Sequence, residues 1–78
     1  MSETPVTVYS KPACVQCTAT KRHLDGKGVE YQEVDLTVNS AALEYVSDDL
    51  GYVQAPVVIV DDHNHWSGYR PDLIDKLT

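Results

Sequence analysis

The chain has 78 residues, a formal net charge of −6 and only two cysteines. This suits one small domain over residues 1–78 with no second core, and it excludes a disulfide-rich secreted scaffold. The acidic balance argues against nucleic acid as a partner, and no apolar run approaches the roughly 20 residues of a membrane span.

The segment MSETPVTVYS lacks the basic and apolar regions of a secretory signal, so a cytoplasmic protein is expected. Val6 to Tyr9 then form a β-rich run that ends at Ser10, Lys11 and Pro12, because proline cannot donate to a ladder. From Val15 to about Lys27 the residues suit a helix with Ala19 and Leu24 as its inner stripe and Gly26 and Gly28 at its end. Thr18 and Thr20 read as surface or cap residues, and His23 as a surface residue. Val29 to Leu36 carries a mixed period-two pattern that suits an edge strand.

Asn39 or Ser40 caps a second helix through Ala41, Leu43, Glu44, Val46 and Leu50, stopped by Gly51. Asp48 and Asp49 stand against its dipole. Pro56 to Val60 is the most apolar run, hence a central buried strand opened by Pro56. Asp61 to Asn64 read as a hairpin turn and His65 to Ser67 as the returning strand. Gly68 breaks that strand, and Pro71 starts a last helix through Leu73, Ile74 and Leu77. The order βαβαββα predicts an α/β fold with one four-stranded mixed sheet flanked by three helices.

Cys14, Val15, Gln16 and Cys17 lie where the first strand gives way to the first helix. As a staple the pair achieves little: the chain-entropy formula gives about 2 kcal/mol for so short a ring, against roughly 3 for a fifteen-residue loop. Residues three apart inside a helix have Cβ atoms about 5–6 Å apart, whereas a disulfide needs about 3.5–4.5 Å. Cys14 therefore belongs at the N-cap and Cys17 in the first turn, with free N–H groups aimed at the Cys14 sulfur. Those donors favour a thiolate, the species that attacks disulfides. Cys14 is the expected nucleophile and Cys17 the resolving thiol. Charge is unevenly spread: Lys11, Lys21, Arg22 and Lys27 share the CxxC third with two acids, Glu3 and Asp25, while ten of the twelve acids lie beyond.

The CxxC after a first strand, the X-Pro before a buried strand and the element order resemble the thioredoxin superfamily at its short, glutaredoxin-like end. More specifically, Cys14-Val15-Gln16-Cys17, Ala55-Pro56-Val57-Val58 and Trp66-Ser67-Gly68-Tyr69-Arg70-Pro71-Asp72 are similar to the signatures of the NrdH-redoxins, small electron donors to class Ib ribonucleotide reductase. The resemblance covers nearly the whole chain. It implies a thioredoxin fold and a dithiol that reduces a disulfide on the large subunit of that reductase. Re-reduction would come from thioredoxin reductase, using NADPH and flavin, with no cofactor bound to the redoxin itself and a monomer as the default state.

The same resemblance makes Pro56 a cis-proline, with Ala55 offering its backbone to an extended partner segment. It marks Val15, Gln16 and the loop Trp66, Ser67, Gly68, Tyr69 and Arg70 as the partner-binding surface, and sets Lys11 near the thiolate. At Tyr69 the family commonly has Phe. Read from the residues alone, Trp66 is equally a core side chain whose indole N–H needs a partner if buried, Ser67, Gly68 and Arg70 read as structural, and Lys11 is equally a solvated loop lysine. Two other functions share some features. A glutathione-dependent glutaredoxin would have the same fold, but this chain has Gln54-Ala55-Pro56 and Ser67-Gly68-Tyr69 where glutaredoxins show a Thr-Val-Pro stretch and a Gly-Gly loop. A zinc module using Cys14, Cys17, His63 and His65 lacks the close second pair of a zinc finger.

Overall fold

The computed structural model describes residues 6–61 and 64–77. Strand β1 (Val6–Ser10) runs parallel to β2 (Tyr31–Asp35) across the crossover helix α1 (Val15–Gly26). It pairs antiparallel on its other side with β3 (Val57–Asp61), which in turn pairs antiparallel with β4 (Asn64–Ser67). The sheet order β2-β1-β3-β4 places β2 at an edge and β3 inside, as the sequence pattern predicts. Residues Asp62 and His63 of the expected hairpin turn lie outside the described residues.

The alternation of β1 decides which way its side chains face. Val6, Val8 and Ser10 are buried, and Val6 and Val8 form one core with Leu24 of α1, Val58, Trp66 and Ile74 of helix α3 (Pro71–Asp75). Tyr9 and its register partner Val57 face the other way, where the Tyr9 ring meets Tyr45 at a centroid distance of 6.2 Å.

Several boundaries differ from the sequence reading, each for a local reason. Helix α1 ends in a Schellman arrangement: Val29 N–H donates to Leu24 O, Gly28 N–H donates to Asp25 O, and Gly28 sits at φ +73°. This frees Val29 and Glu30 from the strand, so β2 begins at Tyr31. The second helix is not one regular element. Helix α2 (Ser40–Glu44), capped by the Asn39 side chain on Ala42 N–H, passes into a π-helical stretch over Tyr45–Asp49 in which Leu50 N–H reaches Tyr45 O. β3 begins after Pro56, which precedes the ladder instead of opening it, and β3 extends to Asp61 while β4 begins at Asn64. Helix α3 stops at Asp75, and Lys76 and Leu77 close it with i→i−3 bonds. Among the described residues no helix is long and apolar enough to cross a membrane.

The inner stripe of α1 is Cys17, Thr20 and Leu24, all buried, while Ala19 is only half-buried. Thr20 is therefore not the surface residue its type suggests. Its hydroxyl is satisfied within the helix by donating to Gln16 O at 2.8 Å, so only its methyl counts toward the core.

Candidate active site

Cys14 occupies the N-cap of α1 with extended backbone (φ −114°), and Cys17 stands in the first turn. They are joined as a disulfide with a Cα–Cα distance of 5.2 Å, inside the usual span of about 4.4–6.8 Å. Cys17 N–H donates to Cys14 Sγ at 3.1 Å. The helix thus presents a first-turn donor to the Cys14 sulfur, which stabilises negative charge there once the disulfide is opened. Exposure separates the two roles: Cys14 is partly exposed, whereas Cys17 is 2 % exposed. Only Cys14 can meet another molecule's sulfur without the helix opening.

The peptide Ala55–Pro56, just before β3, is cis. Pro56 O accepts the N–H of Gly68 at 2.7 Å, which ties the loop after β4 to the segment before β3. Gly68 stands at φ +85°, and Tyr69 N–H donates to Gln16 Oε1 at 3.2 Å. Gln16, one of the two residues between the cysteines, is thereby linked through the loop to the buried cis-proline. Arg70 forks onto the Asp72 carboxylate, with Nε and a terminal nitrogen at 3.3 and 3.1 Å. The side-chain hydrogen bond to Asp72 raises the Arg70 pKa, and the same bond holds the Asp72 carboxyl below its ordinary value.

Behind the disulfide the buried Ser10 hydroxyl donates to Glu33 Oε2 at 2.7 Å, and Lys21 Nζ binds the same oxygen at 2.8 Å. The Lys21 and Ser10 hydrogen bonds hold the Glu33 carboxyl below its usual range, and the Glu33 hydrogen bond raises Lys21. Lys21 is thus engaged, while Lys11 has no ion pair among the described residues and borders two openings. One, about 520 Å³, runs over Ser10, Cys14, Cys17 and Glu33; the other, about 460 Å³, runs toward Leu43, Val53 and Ala55.

The glutaredoxin family model matches residues 6–66. The chain is 39 % identical over 72 residues to the glutaredoxin-like protein NrdH of Escherichia coli K12, covering 92 % of this chain and 86 % of that one. The chain belongs to the glutaredoxin family. Within that family it groups with the NrdH redoxins: it superposes on the NrdH-redoxin of E. coli with a TM-score of 0.89 and 37 % identity, covering 96 % of both chains. It is also 42 % identical over 73 residues to the gene 56 protein of Mycobacterium phage L5, covering 94 % of this chain and 71 % of that one. With its CxxC disulfide, this redoxin is a thiol-disulfide oxidoreductase with a thioredoxin-like fold.

The structure brings most of the sequence-selected residues of the redoxin together. Lys11 and Val15 line one opening with Cys14 and Cys17, and two hydrogen bonds join Gln16 to Tyr69 and Gly68 to Pro56. Trp66 is a core residue, 5 % exposed, and its indole N–H meets no partner among the described residues, so it offers no free surface. His65 is engaged by Tyr52, whose hydroxyl lies 2.8 Å from Nδ1, and His63 lies outside the described residues. Among the described residues no three His, Cys, Asp or Glu side chains cluster as metal ligands.

Sequence reasoning missed Ser10, Glu33, His23 and Asp75. Ser10 was within reach, because the alternation that buries Val6 and Val8 continues onto it. The other three depend on contacts between distant elements.

Proposed function

We propose that this redoxin donates electrons to class Ib ribonucleotide reductase and is re-reduced by a flavin-containing thioredoxin reductase that draws on NADPH. The observation that carries the reading is the asymmetry of the pair, an accessible Cys14 sulfur at a helix N-terminus above a buried Cys17. In the reduced protein the Cys14 thiolate attacks one sulfur of the partner's disulfide, forming a mixed disulfide and expelling the other sulfur as thiolate, which takes up a proton. Cys17 then loses its proton and attacks Cys14 Sγ, the intermolecular S–S bond breaks, and the partner leaves as a dithiol. Two electrons have passed, and the redoxin holds the Cys14–Cys17 disulfide.

Recognition is assigned to the surface that surrounds Cys14. Val15, Gln16, Ala55, Ser67, Gly68, Tyr69 and Arg70 would meet the partner's disulfide-bearing segment, Lys11 would favour its acidic groups, and the buried Pro56 and Trp66 would support that surface from beneath. The thioredoxin-like activity profile described for the glutaredoxin-like NrdH-redoxin of E. coli supports thioredoxin reductase, and not glutathione, as the electron source. The redoxin itself would need no bound cofactor and would act as a cytoplasmic monomer.

The test is NADPH-coupled disulfide reduction by the purified protein, run in parallel with thioredoxin reductase and with glutathione plus glutathione reductase. Turnover with thioredoxin reductase alone is expected; turnover with glutathione alone would replace the reading by a glutathione-dependent glutaredoxin. The exchange step has its own check. Cys14→Ser abolishes turnover and Cys17→Ser traps a mixed disulfide with the reductase subunit, so full multiple turnover by Cys17→Ser would sink the dithiol mechanism.

A further inference from the structure

One polar chain, between α1, Tyr69 and the end of α3, takes no part in the exchange chemistry. His23, 21 % exposed on α1, has Nδ1 2.8 Å from Tyr69 Oη and Nε2 2.8 Å from Asp75 Oδ1 at the end of α3. Lys27 Nζ stands 3.8 Å from the same carboxylate oxygen. A carboxylate only accepts, so in the neutral ring Nε2–H donates to Asp75 and Nδ1 accepts the Tyr69 hydroxyl. Tyr69 is thus held twice to α1, by its hydroxyl to His23 and by its N–H to Gln16 Oε1. A Phe in its place would keep the second hold and lose the first.

What this fixes is a wall. An open trough of about 560 Å³ runs along α1 from Val15, beside Cys14, through Thr18, Ala19 and Arg22 to His23, with Tyr69 as its far side. Residues 15, 18, 19 and 22 share one helix face, Val15 is 84 % exposed, and among the described residues no carboxylate lines the trough. A wall built on an untethered loop would have to be ordered by each partner, and ordering lowers affinity.

We propose that His23 and Asp75 are positioning residues that hold Tyr69 as the preformed wall of this trough, a contact surface for the segment of thioredoxin reductase that carries its redox-active cysteines. The proposal rests on the electron-transfer reading above. Neither residue touches the reacting sulfurs; Asp75 lies outside the trough and acts through His23 and Tyr69, while His23 also lines the trough, so Asp75→Ala is the variant that reads positioning alone.

The experiment compares His23→Ala, Asp75→Ala and the double variant with the native protein. Three readouts are taken: KM and kcat with thioredoxin reductase, the single-turnover rate of the chemically reduced protein on hydroxyethyl disulfide, and NMR order parameters of the Tyr69 and Arg70 amides. Each single variant is expected to raise KM about fivefold, the factor for one ordinary hydrogen bond, with kcat and the small-disulfide rate unchanged. The double variant should be no worse than His23→Ala, because a chain acts as a unit. The order parameters should fall from about 0.85 to below about 0.6. Unchanged order parameters, or a loosened loop with unchanged KM, would overturn the proposal. So would equal losses on the reductase and the small disulfide, which would make the chain a fold brace. If the reductase does not turn over the native protein, the electron-transfer reading is what has failed. The order parameters then decide the positioning role, loosening in both single variants supporting it and no change overturning it.

Discussion

Replacing Gly68 by alanine isolates what holds the loop against the cis-proline. At φ +85° an L side chain is strained whatever the space around it, yet a Cβ there would meet only Gln16 Oε1 at 3.4 Å, an ordinary contact. The cost therefore lies in the backbone, and the left-handed region costs a residue with a Cβ about 1–2 kcal/mol. For a domain of this size each kcal/mol moves Tm by about 4–8 °C, so Gly68→Ala should melt about 4–16 °C lower. Gly68→Asn should recover at least half of that loss, because asparagine visits this region readily. Thermal unfolding followed by circular dichroism on the oxidised protein reads both. If the asparagine variant is as unstable as alanine, crowding and not backbone strain sets the requirement. If alanine melts with the native protein, the loop relaxes freely and the 2.7 Å bond from Gly68 to Pro56 does not hold it.

Leu24→Ala removes a fully buried side chain from the core shared by α1, α3 and the sheet. It should cost about 2–5 kcal/mol in denaturant titration; a loss under about 1 kcal/mol would mean the core refills. Glu33→Gln tests the Lys21 and Ser10 contacts through pH. Because the folded Glu33 carboxyl is held low, its stabilisation is full above the ordinary carboxylate value of about 4.3 and disappears as pH falls through the depressed folded value. For a pair this exposed the difference between native and variant should stay under about 1 kcal/mol at pH 7 and shrink below pH 4; a difference that grows in acid would reverse the assignment. Arg70→Ala should raise KM for thioredoxin reductase about tenfold, the scale of one charge-assisted hydrogen bond, and affect intrinsic dithiol reactivity less. Equal losses would make Arg70 a fold residue.

Local forces were legible in the chain. An N-cap cysteine with its partner in the first turn follows from helix geometry, and the edge place of β2 and the inner place of β3 follow from one mixed run and one apolar run. The burial of Thr20 was also within reach. Cys17 and Leu24 are seven apart on one helix face and Thr20 lies between them, so residue type misled where spacing did not. The cis state of Ala55–Pro56 came from family resemblance, since composition gives no sign of it.

The rest needed the third dimension. Glu33 reaches Ser10 and Lys21 only because β2 lies parallel beside β1, and His23 meets Tyr69 and Asp75 across separations of 46 and 52 residues. No periodicity encodes such pairs. The sequence determined the redox pair and the scaffold that aims it, because backbone donors, caps and alternation act over a few residues. Which polar side chains brace that pair, and which wall a partner meets beside it, were decided only when α1, α3 and the loop after β4 packed together.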